Sequence, residues 1–183
     1  LRRFTFPVAA GLALLLALGA VPSWERVLLF LGRGGFGVAD PVFARDVGWY
    51  VFTLPVLDTL LGTLRGVVTL CLFVTLPVYF LRGDIVLLPR GLRIEPSAGR
   101  HLGVLLALWF VLGAFTLWFV DASNLLYSTN GSFVGAGYTD LHVTLPALRV
   151  GAATALVGAV LALVGAVRSQ LGWYAFLGLA GQA

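Results

Sequence analysis

Long apolar runs alternate with short polar segments along this chain. Residues 4–21, 102–120 and 150–167 contain no charged side chain. About 20 mostly apolar residues are enough for a helix to cross a hydrocarbon core of about 30 Å. Each run therefore predicts a transmembrane helix, with the last span over about residues 148–167. An apolar segment from residue 173 predicts the start of a further span, which the sequence truncates.

A fourth apolar stretch, residues 49–81, is too long for a single crossing. As one helix it would measure about 50 Å at 1.5 Å per residue. Its first half contains Pro55, Asp58 and Arg65. The pattern predicts a short interfacial or re-entrant helix over about 49–62 and a true span over about 64–81. The expected fold class is all-α: a polytopic transmembrane helix bundle with long extracytoplasmic loops and a short interfacial helix, forming one region over residues 1–183.

Composition supports a membrane location and sets an orientation. The chain is 60% hydrophobic and 11% charged, which leaves too little polar surface to cover a water-soluble globule. All the basic residues are arginines, and most lie at the ends of apolar runs, where they bias topology instead of marking a nucleic-acid site. Residues 82–101 are rich in arginine, whereas 121–148 contain none. The N-terminus is therefore predicted to be cytoplasmic.

Small side chains form a stripe along the predicted span 148–167. A heptad stripe of this kind lets a second helix approach closely in lipid. We therefore expect this face to be buried against another helix. A shorter alanine stripe on the first span makes that span a candidate mate. The stripe consists of Gly151, Ala155, Gly158, Ala162, Gly165 and Ser169, and the candidate mate carries Ala10, Ala13, Ala17 and Ala20.

Scarce polar residues in the two predicted outer loops are the candidates for chemistry. Asp40 before Pro41 is typical of a helix start, Asp46 is a candidate cap of the next segment, and Thr139 or Asp140 could cap a short helix. Carboxylates with a histidine could also bind a divalent metal or act as acid and base. Their spacing matches no catalytic or metal motif, so capping explains them better and no cofactor is predicted. The candidate functional residues are Asp40, Asp46, Asp58, Arg65, Asp121, Asp140 and His142.

Asp58 and Arg65 are the ionisable pair of the long apolar stretch. Being seven residues apart, they share a helical face and are separated by about 10 Å along the axis. At the interface both would simply be solvated, whereas in a re-entrant segment they could line a pore.

Several motifs, in this order along the chain, resemble a known family. The clearest are the run from Asp40 to Phe43, the run from Asp46 to Phe52, the run from Leu125 to Ser128 and the run from Gly135 to Asp140. They resemble a large, functionally uncharacterised family of bacterial multi-pass membrane proteins, in which about seven N-terminal spans precede a large extracytoplasmic domain. The resemblance implies an interior fragment of such a protein in a bacterial plasma membrane. It carries over no catalytic residue.

Three functional hypotheses remain open. The first is a membrane scaffold or anchor for a large extracytoplasmic domain or an envelope partner. The alternative is a transporter or channel with a polar path near Asp58, Arg65, Asp121 and Asp140. A weaker alternative is an envelope enzyme that uses the outer-loop carboxylates. The expected partners are membrane lipid, the missing spans and outer domain of the same protein, and other envelope proteins or a second copy; nucleic acid is not expected.

Overall fold

The computed structural model describes residues 10, 11 and 13 and residues 23–88, 91–129 and 134–168. The predicted all-α fold class is confirmed, with one small two-stranded sheet added. Three helices are long and apolar enough to cross a membrane: Trp49–Leu81, Pro96–Tyr127 and Asp140–Arg168. Of the predicted span 4–21 only residues 10, 11 and 13 are described, and they are helical. The predicted segment from 173 and Ser169 lie outside the described residues.

The chain divides into two compact units, residues 1–59 and residues 60–183. In the first unit, helix α1 (Trp24–Leu31) precedes a loop that folds back on itself through a single antiparallel bridge between Ala39 and Asp46. The chain then enters a π-helical turn, Trp49–Thr53. A hydrogen bond of 2.5 Å from an Arg26 Nη to the Thr59 hydroxyl joins the two ends of the unit. This loop positions Asp40 and Asp46.

Helix α2 (Leu54–Leu81) continues directly from the π-helical turn, so one unbroken helix covers residues 49–81. The break that the sequence analysis expected between the segments 49–62 and 64–81 is absent. Pro55 is the seventh residue of this helix, so it removes one hydrogen bond of the helix ladder without ending the helix. Gly62 lies inside the helix, and a single glycine costs a helix only about 1 kcal/mol relative to alanine.

A β-hairpin between α2 and the next helix was not predicted. Strand β1 (Ile85–Leu88) pairs antiparallel with β2 (Gly91–Ile94), with Ile85 opposite Ile94. Ile85 and Leu102 are buried together, with Tyr79 and Ile94 packed around them. A two-residue hairpin loop is usually a pair such as Asn-Gly or Asp-Gly, whereas the residues between these strands are Pro89 and Arg90. The sequence therefore contains no clear hairpin signal here.

The second unit also contains a closely packed pair of helices. Helix α3 (Pro96–Phe115) begins with proline in its first turn, a position that proline tolerates well, and continues through a π-helical turn, Thr116–Asp121. Helix α4 (Leu145–Arg168) follows another π-helical turn, Asp140–Thr144. Phe110, Ala155 and Ala162 are fully buried where α3 meets α4. The contact consists of apolar side chains and glycines.

Candidate functional site

Asp46 organises the loop before the first long helix. Its carboxylate accepts backbone N–H groups from Phe36 (3.0 Å), Gly37 (2.8 Å) and Gly48 (2.7 Å). The bond from Gly48 is the one that an N-cap aspartate makes to the first turn of a helix. The other two bonds tie a segment ten residues earlier to the same carboxylate. A Cβ atom on Gly48 would collide with the carbonyl oxygen of Gly34, so only glycine fits here.

Asp40 organises the turn formed by residues 41–43. Its carboxylate accepts the backbone N–H groups of Val42 (2.8 Å), Phe43 (2.8 Å) and Arg45 (3.1 Å). It also accepts the hydroxyl of the buried Tyr50 at 2.5 Å. The bonds to Val42 and Phe43 have the pattern of an N-cap, but residues 41–43 form a turn instead of the expected helix. The sequence could not show the Tyr50 contact because that residue belongs to the next element.

The backbone inside this turn is strained. Ala44 has a φ of 54°, in the left-handed region that residues with a Cβ rarely adopt. Such conformations persist only where surrounding contacts over-determine them. The N–H of Ala44 donates to the carbonyl oxygen of Asp40 at 3.0 Å, and the Asp40 carboxylate bonds the residues on either side. The loop is therefore held in one conformation by its two aspartates.

Both carboxyl groups have a lowered pKa. Desolvation raises the pKa of Asp40, but hydrogen bonds from the Tyr50 hydroxyl and three backbone N–H groups outweigh it and hold that pKa below 3.8. The pKa of Asp46 is held below 3.8 chiefly by the N–H groups of Phe36 and Gly48. Hydrogen bonds to the charged form always favour that form. Both groups are ionised at neutral pH and occupied by donors of their own loop.

The second predicted outer loop contains Asp121, Asp140 and His142. The buried Asp140 accepts the Gly137 N–H at 3.0 Å. This bond reaches back from the third helical residue, as the acidic member of a capping box does, so Asp140 stabilises the helix start from inside and is not the N-cap itself. The His142 ring stacks on Tyr138 with centroids 4.0 Å apart. Asp121 ends the π-helical turn of α3.

The predicted pair Asp58 and Arg65 has two different environments. Asp58 is exposed, and its carboxylate accepts no hydrogen bond from a described residue. Arg65 is half-buried, with its guanidinium carbon 4.2 Å from the centroid of the Trp109 ring. The Trp109 Nε1–H donates to the Thr69 hydroxyl at 3.0 Å. Trp109 thus packs against α2.

The predicted packing stripe lies mostly on the face of α4 that meets α3. Ala155, Gly158, Ala162 and Gly165 are buried, and Gly151 lies beside a Leu117 methyl group. The partner in the described structure is α3, whereas most of the candidate mate in the first span lies outside the described residues. Among the residues that the structure describes, no three His, Cys, Asp or Glu side chains gather to hold a metal ion. In the two predicted outer loops, the carboxylates of Asp40, Asp46 and Asp140 hold the backbone in place by accepting its N–H groups.

Comparison with known proteins identifies close relatives of this chain. Residues 1–180 match the model of an uncharacterised protein family, UPF0182. A UPF0182 protein of Pelobacter propionicus is 42% identical over 146 residues, covering 79% of this chain and 16% of the relative. One from Cupriavidus necator is 44% identical over 152 residues, covering 81% of this chain and 16% of the relative. The chain thus spans about one sixth of the length of these relatives. No solved structure matches it.

Proposed function

Because the chain belongs to the uncharacterised protein family UPF0182, we propose that it is the membrane scaffold of a larger envelope protein. The helices anchor the polypeptide in a bacterial plasma membrane, with the N-terminal end of this chain on the cytoplasmic side. The loops at their outer ends are presented to an extracytoplasmic domain or to another envelope protein. The chain spans about 16% of its relatives, so such a domain has room in the remaining length.

The observation that supports this proposal is the hydrogen bonding of the Asp40 and Asp46 carboxylates. Each carboxylate is filled by three backbone N–H groups, with a tyrosine hydroxyl added at Asp40. A catalytic acid or metal ligand needs a free oxygen facing its substrate or ion. Carboxylates that are held by three or four hydrogen bonds from their own segment instead stiffen a loop, which favours presentation of a fixed surface. Phe36 and Val38 are more than half exposed on that surface.

The packing of α3 on α4 is consistent with a static support. Their contact contains Phe110, alanines and glycines, with helix backbones close enough that a Cβ on Gly103 would meet Ala166. In lipid such a contact is stabilised by van der Waals packing. A transport path through this contact would need polar side chains that it does not have.

The test uses the whole protein in its native membrane, with a photoreactive amino acid in place of Val38. The scaffold proposal predicts a protein adduct with the outer domain or with an envelope protein. Asp46→Asn should lower its yield, because the loop loses its fixed shape. Glu25→Gln on α1 is the control and should leave the yield unchanged. An adduct with lipid alone, or a yield indifferent to Asp46→Asn, would refute the proposal.

The alternative function, a transporter or channel, rests on Asp58 and Arg65, the charged residues of the helix Trp49–Leu81. A saturable solute flux into proteoliposomes that is lost in both Asp58→Asn and Arg65→Gln would establish it over the scaffold. Between Arg65 and Tyr79 that helix offers only Thr69, Cys71 and Thr75 as polar side chains. The hydroxyls of Thr69 and Thr75 already donate to helix carbonyls.

A further inference from the structure

Arg65 lies at the centre of a helix that is long and apolar enough to cross a membrane. It is the middle residue of Trp49–Leu81, which has 33 residues. Its guanidinium group covers the ring of Trp109 and fills the space beside Gly113, where an added Cβ would come 3.3 Å from an Arg65 nitrogen. Trp109 and Gly113 flank the middle of the 32-residue helix Pro96–Tyr127. A permanent positive charge therefore lies against the middle of two long apolar helices.

No anion in the described part of the second unit neutralises this charge. The unit's carboxylates, Asp84, Glu95, Asp121 and Asp140, form no ion pair with Arg65. Asp58 on the same helix is about 10 Å away along the axis. The segments outside the described residues contain no aspartate or glutamate. A tryptophan face attracts a cation, but it gives no strong acceptor to the five N–H donors of a guanidinium.

An open helix face lies directly beside Arg65. Gly62, Gly66 and Phe73 recur at intervals of four and seven residues, which places them on one face. An added Cβ on Gly62 or Gly66 would meet nothing within 4 Å. The Phe73 side chain is 78% exposed. Glycines four residues apart allow a second helix to approach closely in lipid.

We propose that this face docks a membrane-spanning helix that carries an aspartate or glutamate, whose carboxylate accepts hydrogen bonds from Arg65. Charged side chains inside a membrane are costly and generally pair with each other. A planar guanidinium is suited to bidentate pairing with a carboxylate. This inference rests on the membrane location given in the proposed function, but it does not depend on what the outer loops present.

The depth of Arg65 favours a helix over a lipid headgroup as the source of the anion. Sixteen residues separate Arg65 from either end of its helix, which is about 24 Å at 1.5 Å per residue. With this helix centred in a hydrocarbon core of about 30 Å, Arg65 lies about 15 Å from either phosphate layer, so a lipid phosphate would have to leave its layer to reach it. A carboxylate on a neighbouring helix is held at the required depth by its own backbone.

The experiment places a photoreactive amino acid at Phe73 in the whole protein in its native membrane. We expect an adduct with a membrane-spanning segment that has an aspartate or glutamate within two turns of the crosslinked residue. Arg65→Gln should lower the yield about tenfold or more, because it leaves the partner carboxylate unpaired in the membrane. The matched control is Arg149→Gln, since Arg149 also lies over a tryptophan, Trp118 at 5.9 Å, and should leave the yield unchanged.

Three results would overturn the proposal: an adduct with lipid only, an adduct with a segment that has no acidic residue, or a yield indifferent to Arg65→Gln. If the Arg65→Gln variant does not accumulate in the membrane, a variant in which the two charges of the proposed pair are exchanged tests the pairing instead. Arg65→Glu combined with a lysine in place of the partner carboxylate should restore both accumulation and adduct. Failure of that exchange to restore them would equally refute the pairing.

Discussion

Gly103→Ala tests the contact between α3 and α4 by adding one methyl group. In the native structure the added Cβ would lie 2.5 Å from the Cβ of Ala166 and 3.0 Å from the carbonyl oxygen of Ala162. Ordinary contacts between carbon atoms lie at about 3.5–4.0 Å. Two of the atoms it would meet belong to the backbone of α4, the Ala162 oxygen and the Ala166 Cα, so no side-chain rotation relieves the clash. The helices must separate by about 1 Å, which forfeits a quarter to a half of the energy of each contact along the seam.

The expected cost follows from two opposing effects. Overpacking a well-packed contact costs about 1–3 kcal/mol. Alanine is a better helix former than glycine, which adds about 1 kcal/mol to the stability of the helix. We therefore expect Gly103→Ala to lower the free energy of unfolding by about 0–2 kcal/mol relative to the native chain, and by about 1–3 kcal/mol relative to a glycine-to-alanine change that meets no clash.

The assay is reversible unfolding of the chain in mixed detergent micelles, followed by helical circular dichroism. Gly151→Ala in α4 is the matched control, because its added Cβ meets only a side-chain methyl group, that of Leu117 at 3.4 Å. That variant should be as stable as the native chain or more so. Combining Gly103→Ala with Ala166→Gly should give a favourable coupling of about 1 kcal/mol, since the second change removes the colliding methyl group. If Gly103→Ala matches the control, the close approach of the helices is refuted.

The remaining predictions concern the loop organised by two aspartates. Asp46→Asn should accelerate hydrogen exchange at the Gly37 and Gly48 amides, since a neutral side chain with one oxygen accepts these bonds less well; unchanged exchange by mass spectrometry would contradict this. The lowered pKa of Asp46 means that its contribution is complete above its ordinary value of 3.8 and is lost as pH falls through the folded value. Amide protection measured across pH should therefore be flat above pH 4 and decline below it. Tyr50→Phe removes a hydroxyl donor and should raise the pKa of Asp40, measured by carbon NMR titration of that carboxyl; a constant or lower pKa would show that the contact is unimportant.

Local signals predicted part of the candidate site. The proximity of Asp46 to a helix start was visible because capping involves residues two or three positions apart. The bond from Asp46 to Phe36 and the bond from Tyr50 to Asp40 each cross ten residues. No local pattern encodes them, because they arise only when the loop closes. The helix already begins before Asp140, so the N-cap lies three residues earlier, at Gly137, and Asp140 accepts the N–H of that residue from inside the helix.

The environment of Arg65 shows the same limit. Its position in an apolar stretch identified it as costly, and two interpretations, solvation at the interface or a pore, followed from the break expected after residue 62. The helix is unbroken there, and the guanidinium packs on Trp109 from another helix. Contact between these two residues depends on where two separate helices lie in three dimensions, which hydropathy does not specify.

The sequence by itself determined the fold class, the apolar segments that form α2, α3 and α4, and the family. Transfer of an apolar run into lipid is a property of that run alone, so it can be read from local composition. Only the tertiary structure decided that α4 packs on α3, that residues 49–81 form one helix, and that a hairpin joins α2 to α3. A stripe of small residues shows that some helix approaches but does not say which one. That choice depends on how two surfaces distant in sequence fit, as the glycine at 103 fits the methyl group of Ala166.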